Sequence, residues 1–315
     1  MTTDGVRLGP FRLAPWFSER PWGRADLKPW YEETGKSGPV GEAWLNGPES
    51  LIESGPLAGK AFASAVAENS VAIVGAAGAE FPLLVKLLFP NDKLSVQVHP
   101  DDAHAQAMGQ PRGKTECWYV LEASVGATIA LGLKDGATPD VVRQAIAAGT
   151  LEEWVEQVPV TVGDMIFVDA GTVHAIGPGV VLLETQQTSD TTFRMYDYGR
   201  PRELHVEQAL QVMRAKTDAG KVAPKQMQDG FMRLIEQKYF TVDRYDVAGG
   251  DEVSLDGGVP TCLVGLRGEA QVEWSGGDAV ELRAGHAVVV PVSVDQVSVR
   301  TADGVSFTRC FAPTV

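Results

Sequence analysis

The sequence predicts a mainly β fold, built from two jelly-roll β-barrels with a few helices. Short runs rich in β-branched and aromatic residues recur along the 315 residues, and 34 glycines and 19 prolines are spread between them. Short strands separated by turn residues are typical of antiparallel sandwiches and barrels. An internal repeat predicts that the chain contains two such barrels.

The repeat pairs segments from the two halves of the chain. The run CWYVLEA, which begins at Cys117, resembles the run CLVGLRG, which begins at Cys262. The run GDMIFVDAGTVH begins at Gly163, and GHAVVVPVSVDQ begins at Gly285 and has the same length. We interpret this likeness as a duplicated barrel.

The duplication predicts two domains. Residues 1–220 would form the first barrel, with N-terminal strands and a helical insertion near 136–158. Residues 221–315 would form the second. The boundary falls in a polar stretch that follows a helical segment.

Helical patterns are few. We expect helices over 56–69, over 139–157 with a break at Gly149, and over 202–216. The last segment has apolar residues at helical spacing, which predicts one face packed on a core.

Composition excludes several classes of partner. Hydrophobic residues make up 44% and charged residues 22%, a balance that allows a sizeable core. The formal charge of −14 disfavours nucleic acid and anionic membranes, so an anionic substrate would need a local cluster of cations. The most apolar stretch, 71–89, is too interrupted by charges to span a bilayer. The oligomeric state stays open.

The cysteines and the N-terminus predict a cytoplasmic protein. The three cysteines include no C-x-x-C pair, which favours reduced thiols over a disulfide framework. The N-terminal run MTTDGVRLGPFRLAPW lacks the apolar region of a signal peptide.

Four residues could bind a metal ion. Gln97 and His99, in LSVQVHPDD, would lie on the same face of a strand. His174 follows a Gly turn in the pattern G-D-x-x-x-V-x-A-G-x-x-H, a motif of the cupin barrels, and Glu116 begins a neighbouring run. Two imidazoles, a carboxylate and an amide oxygen suit Zn²⁺, with Mn²⁺, Co²⁺ or Fe²⁺ as alternatives.

We expect no metal site in the second barrel or at the other histidines. In the repeat, Thr261 stands where the first copy has Glu116, and Gln296 where it has His174, so the second cupin-like barrel would hold no metal. A single strand histidine is more often a satisfied polar residue than a ligand. We therefore assign no metal role to the remaining histidines, which are His104, His205 and His286.

Several motifs resemble those of the type I mannose-6-phosphate isomerases, also called phosphomannose isomerases, in their short bacterial form. LLVKLLFPNDKLSVQVHPDD resembles the strands that end in the Q-x-H-P motif of that family. GKTECWYVL resembles the K-x-E motif, although Thr115 stands where many members have Pro. PWG, GEAW and LLETQQTSDTTFRMYDYGR add to the likeness, which covers roughly residues 8–205.

The resemblance implies a reversible isomerisation of mannose 6-phosphate and fructose 6-phosphate in a metal-dependent cupin enzyme. It implies the metal ligands Gln97, His99, Glu116 and His174, the catalytic residues Arg194, Lys114 and Asp190, and the substrate-binding residues Lys86 and Ser95 near the phosphate.

An aldose–ketose isomerisation moves a proton between C1 and C2 through an enediolate. It needs a group that transfers the proton and positive charge where the oxyanion develops. Arg194 has a fixed charge for the second role; otherwise it would pair with Asp190 on the surface. Lys114 could transfer protons if its pKa is lowered, and otherwise it is a solvated loop lysine. Lys86 lies in an apolar run, where it must either reach solvent or meet an anion.

Two other function classes compete. A cupin-type metal-dependent oxygenase usually presents an H-x-H pair, whereas Gln97 occupies the first position here. A sugar-binding protein with a structural metal would bind without turnover. Another sugar-phosphate isomerase, acting on glucose 6-phosphate, is the nearest alternative within the isomerases.

Overall fold

A computed structural model of the chain describes residues 7–313. The first six residues, part of the run that lacks a signal-peptide pattern, lie outside the described part. The helices are α1 Phe62–Glu68, α2 Ser70–Ile73, α3 Asp102–Ala107, α4 Pro139–Ala148 and α5 Val206–Val212, with a 3₁₀ helix at Leu151–Trp154.

Strands make up most of the regular structure. The first thirteen are β1 Phe11–Leu13, β2 Trp16–Arg24, β3 Val40–Trp44, β4 Leu83–Leu88, β5 Val96–Val98, β6 Glu116–Ala123, β7 Thr128–Leu133, β8 Val155–Pro159, β9 Met165–Val168, β10 His174–Ile176, β11 Val180–Gln187, β12 Phe193–Tyr196 and β13 Gly220–Val222. The others are β14 Lys225–Gln226, β15 Met232–Glu236, β16 Thr241–Val247, β17 Glu252–Asp256, β18 Thr261–Glu273, β19 Val280–Arg283, β20 Ala287–Val290, β21 Gln296–Arg300 and β22 Val305–Phe311.

The strands form three sheets. A seven-stranded sheet has the order β13-β9-β6-β11-β4-β3-β2, and a five-stranded sheet has the order β12-β5-β10-β7-β8. A ten-stranded sheet contains β1 and all strands from β14 to β22. The predicted mainly β, cupin-like fold is thereby confirmed.

Strand pairing crosses the predicted domain boundary at two places. β1 pairs with β20, so the N-terminal strand joins the sheet of the second half. β13, at the boundary itself, pairs with β9 in the first half. The division at 220/221 stays a prediction.

The seven-stranded sheet is covered on both faces, which explains why its central strands are buried throughout. Val85, Leu87 and Cys117 pack with Cys262 and Cys310 of the ten-stranded sheet. Residues of the alternate register, such as Leu88, Trp118 and Leu182, face the interior of the first barrel. All three cysteines are buried and free.

The helices are shorter than the sequence patterns predicted. The segment 56–69 is helical only in its last part, as α1. Segment 139–157 divides at Gly149, whose left-handed φ of 73° ends α4. Its remainder forms the 3₁₀ helix and then β8, because β8 pairs with β7 at the sheet edge. Segment 202–216 is helical only over α5. No helix in residues 7–313 has the length and hydropathy needed to cross a membrane.

Candidate active site

Strand register aligns three predicted site residues across the five-stranded sheet. Gln97, at the centre of β5, pairs with Arg194 of β12 on one side and with His174 of β10 on the other. His99 follows β5 directly. One row of the sheet therefore presents an amide, an imidazole and a guanidinium as neighbours.

A second row crosses the seven-stranded sheet. Lys86 of β4 pairs with Trp44 of β3 and with Glu184 of β11, and Glu184 also pairs with Trp118 of β6. Residues of both rows line one cavity of about 390 Å³. The site thus lies between the two sheets of the first barrel.

His99, Glu116 and His174 come together beside this cavity. Each is buried, and their potential ligand atoms all lie within 4.8 Å of one another. Nδ1 of His99 donates to the carbonyl of Thr191 at 3.0 Å, and Nδ1 of His174 donates to the carbonyl of Thr172 at 2.9 Å. The carbonyls fix the tautomer, so both Nε2 atoms present a lone pair to the centre.

The donor set fits a divalent cation. Oε1 of Glu116 is buried, 3.4 Å from Nε2 of His174, and has no hydrogen-bond partner. A buried carboxylate oxygen without a partner is costly, and a cation would satisfy it. Two neutral imidazoles and a carboxylate are common ligands of zinc and related metals.

Burial keeps both imidazoles neutral at neutral pH. It lowers the pKa of His174 to about 4. It also lowers the pKa of His99 well below the ordinary value, and the positive charge of Lys114 adds to this effect. Neutral imidazole is the form that binds a metal.

Gln97 is adjacent to the His–Glu–His group, but its amide nitrogen, rather than the oxygen that could bind a metal, faces His174. Nε2 of Gln97 donates to Nε2 of His174 at 3.3 Å, while Oε1 accepts from the hydroxyl of Ser95 at 3.3 Å. Amide orientation is assigned from such networks, and a half-turn of the amide exchanges the two atoms. Ligation by Gln97 requires that exchange.

Lys114 lies between the metal group and the cavity. Its Nζ donates to Nε2 of His99 at 3.1 Å and to Oε2 of Glu116. Burial works against the ammonium, but the carboxylates of Glu116 and Glu184 outweigh it and raise the pKa of Lys114. Lys114 is therefore a charged hydrogen-bond donor. Proton transfer by Lys114 would require a lowered pKa, whereas these neighbours raise it.

Arg194 does not pair with Asp190. Its Nη1 donates to the carbonyl of Glu203 at 2.7 Å, and its Nε is buried without a partner. The guanidinium lines the cavity. Burial lowers the pKa of Arg194, and the charge of Arg202 adds to this. The arginine is thus held by one backbone contact and keeps donors free for a ligand.

Asp190 and Lys86 also line the cavity. Nζ of Lys86 lies 3.4 Å from the mostly exposed carboxylate of Asp190 and 3.7 Å from that of buried Glu184. It also lies 4.3 Å from the ring centroid of Trp44. Lys86 is 3% exposed and therefore meets anions and a π face rather than solvent.

Sequence reasoning missed five charged residues that line the cavity: Glu19, Arg20, Glu42, Glu184 and Arg202. Glu184 gave a usable signal, because a carboxylate within the apolar run VVLLETQQ must be paired or functional, as was argued for Lys86. Its Oε2 accepts from the indole of Trp118 at 3.0 Å. Burial raises the pKa of Glu184, which the charge of Lys114 opposes.

The remaining histidines take no part in the metal group. His104 bonds Asp101 at the start of α3. His205 accepts the backbone N–H of Arg194 at 3.2 Å. His286 donates to the carbonyl of Ala284 at 3.0 Å.

Residues 11–125 match the family model for the catalytic domain of type I phosphomannose isomerase. A mannose-6-phosphate isomerase of Streptococcus mutans is 34% identical over 299 residues, which cover 90% of this chain and 93% of the relative. The chain belongs to the mannose-6-phosphate isomerase family. A second relative of that name, from Bacillus subtilis, is 34% identical over 288 residues, 86% of this chain and 88% of its own.

Solved structures of the isomerase family share the fold. The mannose 6-phosphate isomerase from Bacillus subtilis superposes with a TM-score of 0.84 and 27% identity, covering 96% of this chain and 99% of that one. A mutant phosphomannose isomerase from Salmonella typhimurium matches with a TM-score of 0.78 over 98% of this chain and 100% of that one. At 17% identity that second match shows the fold alone.

Proposed function

We propose that the protein interconverts mannose 6-phosphate and fructose 6-phosphate. One observation carries the proposal: a buried His–Glu–His group lies beside a cavity whose walls hold several cations. Relatives that match nearly the whole chain are mannose-6-phosphate isomerases. A net charge of −14 makes such a local cluster of cations necessary for an anionic substrate.

The proposed metal ligands are Gln97, His99, Glu116 and His174, and the proposed ion is Zn²⁺, one per chain. The unpartnered oxygen of Glu116 and the inward Nε2 atoms of both histidines support this assignment. A bound divalent ion would supply positive charge that polarises the sugar oxygens at C1 and C2. The backbone carbonyls behind the rings would hold the imidazoles in place.

Arg194 is the residue that we propose to stabilise the enediolate. Its guanidinium lines the cavity beside Gln97 and stays charged in spite of partial burial. Donors aimed at the position where negative charge develops lower the barrier without reorganisation. Lys114 would add a second positive charge from the metal side.

Proton transfer between C1 and C2 needs a group whose pKa lies near neutrality. Of the cavity carboxylates, we assign this role to Glu184, because burial raises its pKa and Trp118 fixes its orientation. Asp190 remains a proposed catalytic residue through its contact with Lys86.

Lys86 and Ser95 are the proposed contacts to the substrate phosphate. Both are buried and line the cavity. A phosphate near Lys86 would compete with the carboxylates of Asp190 and Glu184 for the ammonium. The guanidinium groups of Arg20 and Arg202 extend the cationic wall on which a sugar phosphate could lie.

We further propose that residues 221–315 form a second domain that holds no metal. A cytoplasmic location is also proposed, because all three cysteines are free and buried.

The function is tested by elemental analysis of the purified protein together with a coupled isomerase assay, with and without chelator. We expect about one zinc per chain, turnover of mannose 6-phosphate, and loss of turnover on chelation that added Zn²⁺ restores. Faster turnover of glucose 6-phosphate would favour the other sugar-phosphate isomerase. Oxygen uptake by iron-loaded protein would favour the oxygenase, and binding without turnover would favour a sugar-binding protein.

A further inference from the structure

A tyrosine of the second half of the chain contacts the start of α3 in the first half. Tyr239 lies in the turn between β15 and β16, and its hydroxyl donates to Oδ2 of Asp102 at 2.6 Å. Lys238 donates to the same hydroxyl at 3.0 Å, which leaves the phenol proton for Asp102. Asp102 is the first residue of α3 and lies three residues after His99.

Asp102 in turn holds the segment that carries Lys114 and Glu116. Its Oδ1 accepts the backbone N–H of Gly113 at 2.9 Å and Nε2 of Gln187 at 3.0 Å. Oε1 of Gln187 then accepts the backbone N–H of Thr115 at 2.9 Å. The backbone is therefore anchored on both sides of Lys114, just before Glu116.

The approach of these segments leaves no spare room. A Cβ on Gly113 would lie 2.5 Å from the carbonyl carbon of Asp101 and 2.6 Å from the oxygen of Pro100. The backbone N–H of Lys114 donates to that same oxygen at 3.0 Å. A proline at position 115 could not donate the bond that Thr115 makes to Gln187. The segment from Gly113 to Glu116 is thus fixed by hydrogen bonds that require a glycine at 113 and a residue other than proline at 115.

Asp102 is suited to act as a charged acceptor. Its burial would raise its pKa, but the hydrogen bonds from Tyr239, Gly113 and Gln187 outweigh burial and lower it. Hydrogen bonds to a charged acceptor are stronger than those between neutral groups.

We propose that Tyr239 is a positioning residue through which the second half of the chain fixes Lys114 and Glu116, with Asp102 as the intermediate. The inference rests on the proposed function for its catalytic consequence, but its structural part concerns the segment from Gly113 to Glu116 alone. Groups behind a metal ligand set its orientation, and their loss weakens metal binding.

The test compares Tyr239→Phe with Tyr119→Phe. The control removes a hydroxyl from the same face between the sheets, because Tyr119 on β6 accepts from Arg244 of β16 at 2.6 Å. That bond has no link to Asp102. Both variants lose one phenol hydroxyl and one hydrogen bond between the two halves, so a general loss of stability affects both.

Three measurements are made on the full-length protein: hydrogen exchange of the peptide that contains Gly113 to Glu116, Zn²⁺ affinity by chelator competition, and kcat and KM. For Tyr239→Phe we expect that peptide to exchange faster, Zn²⁺ to bind about 10-fold more weakly, and kcat to fall more than KM changes. Tyr119→Phe should leave the peptide and the Zn²⁺ affinity unchanged. Asp102→Ala removes all three hydrogen bonds to the Asp102 carboxylate, from Tyr239, Gly113 and Gln187, and should exceed Tyr239→Phe in each measurement.

Equal exchange and equal Zn²⁺ affinity in the two tyrosine variants would overturn the inference. So would an Asp102→Ala protein whose segment exchanges as slowly as that of the unmodified chain. Exchange and metal affinity are read without substrate. Failure of the unmodified protein to isomerise mannose 6-phosphate would therefore count against the proposed function and leave the positioning result intact.

Discussion

The two halves of the molecule form similar β-barrels whose buried side chains differ. The first encloses Lys86, Lys114, Glu116 and Glu184, all buried. The second is filled by an apolar cluster that includes Leu263, Leu282, Val288, Val297, Val299 and Phe307. The same barrel architecture therefore accommodates either a charged or an apolar interior. In the charged interior each group needs a partner of opposite charge, because an unpaired buried charge is costly.

The matched positions of the repeat show the same contrast. Thr261 is buried, and its hydroxyl donates to the carbonyl of Val259 at 3.1 Å. Gln296 is exposed. In the first barrel, Glu116 and His174 are buried beside each other, at 3.4 Å. Within the described range, the one group of metal-binding geometry lies in the first barrel.

The largest expected effect is that of His174→Ala. Removal of one imidazole leaves a carboxylate, a single histidine and the weakly binding amide of Gln97, so metal content and isomerase activity should both fall to background. Elemental analysis and the coupled assay measure the two quantities. A variant that stays active without metal would contradict the proposed mechanism. It would also contradict the proposal that a metal site distinguishes the first barrel from the second.

Arg194→Ala should keep its metal but lose turnover. The guanidinium is outside the His–Glu–His group, so zinc content should stay near that of the unmodified protein. Loss of a donor to the developing oxyanion should lower kcat by roughly 100-fold or more. Arg194→Lys is the matched control, since it keeps the charge but not the planar fork, and we expect it to recover only part of the rate. Loss of zinc in Arg194→Ala would assign the residue to the metal site instead.

Glu42→Gln should change the pH dependence of stability. Burial raises the pKa of Glu42, but Lys86 and Arg20 outweigh it and lower the pKa below 4.5. Stability from this ionised group is present above 4.5 and is lost as the pH falls through the lowered pKa. The variant should be about 2 kcal/mol less stable at pH 7, with a deficit that narrows in acid. Urea unfolding between pH 7 and pH 3 measures it, and a constant deficit would contradict the assignment.

The smallest effect is expected for Gln296→Ala in the second barrel. This counterpart of His174 is exposed and makes no contact with the metal group, so zinc content and kcat should be unchanged. Stability should shift by about 0.5 kcal/mol or less. A loss of zinc here would show that the two barrels are not as different as their interiors indicate.

The metal group was accessible to sequence reasoning because its signals are local. Gln97 lies in β5, His99 follows directly after that strand, and His174 follows a glycine turn. The helices were less accessible, since residues 155–159 form β8 only because β7 lies beside them. Tertiary pairing overrode the local helical pattern there.

By itself, the sequence determined the β-rich fold, the repeat and a candidate ligand set, because alternation and turn glycines act over a few residues. Only the tertiary structure decided which distant groups meet. Glu184 lies opposite Lys86 through strand register, and Tyr239, in the turn between β15 and β16, bonds Asp102 of α3. Register and sheet packing join residues far apart in the chain, and no local pattern encodes which partner a buried charge will find.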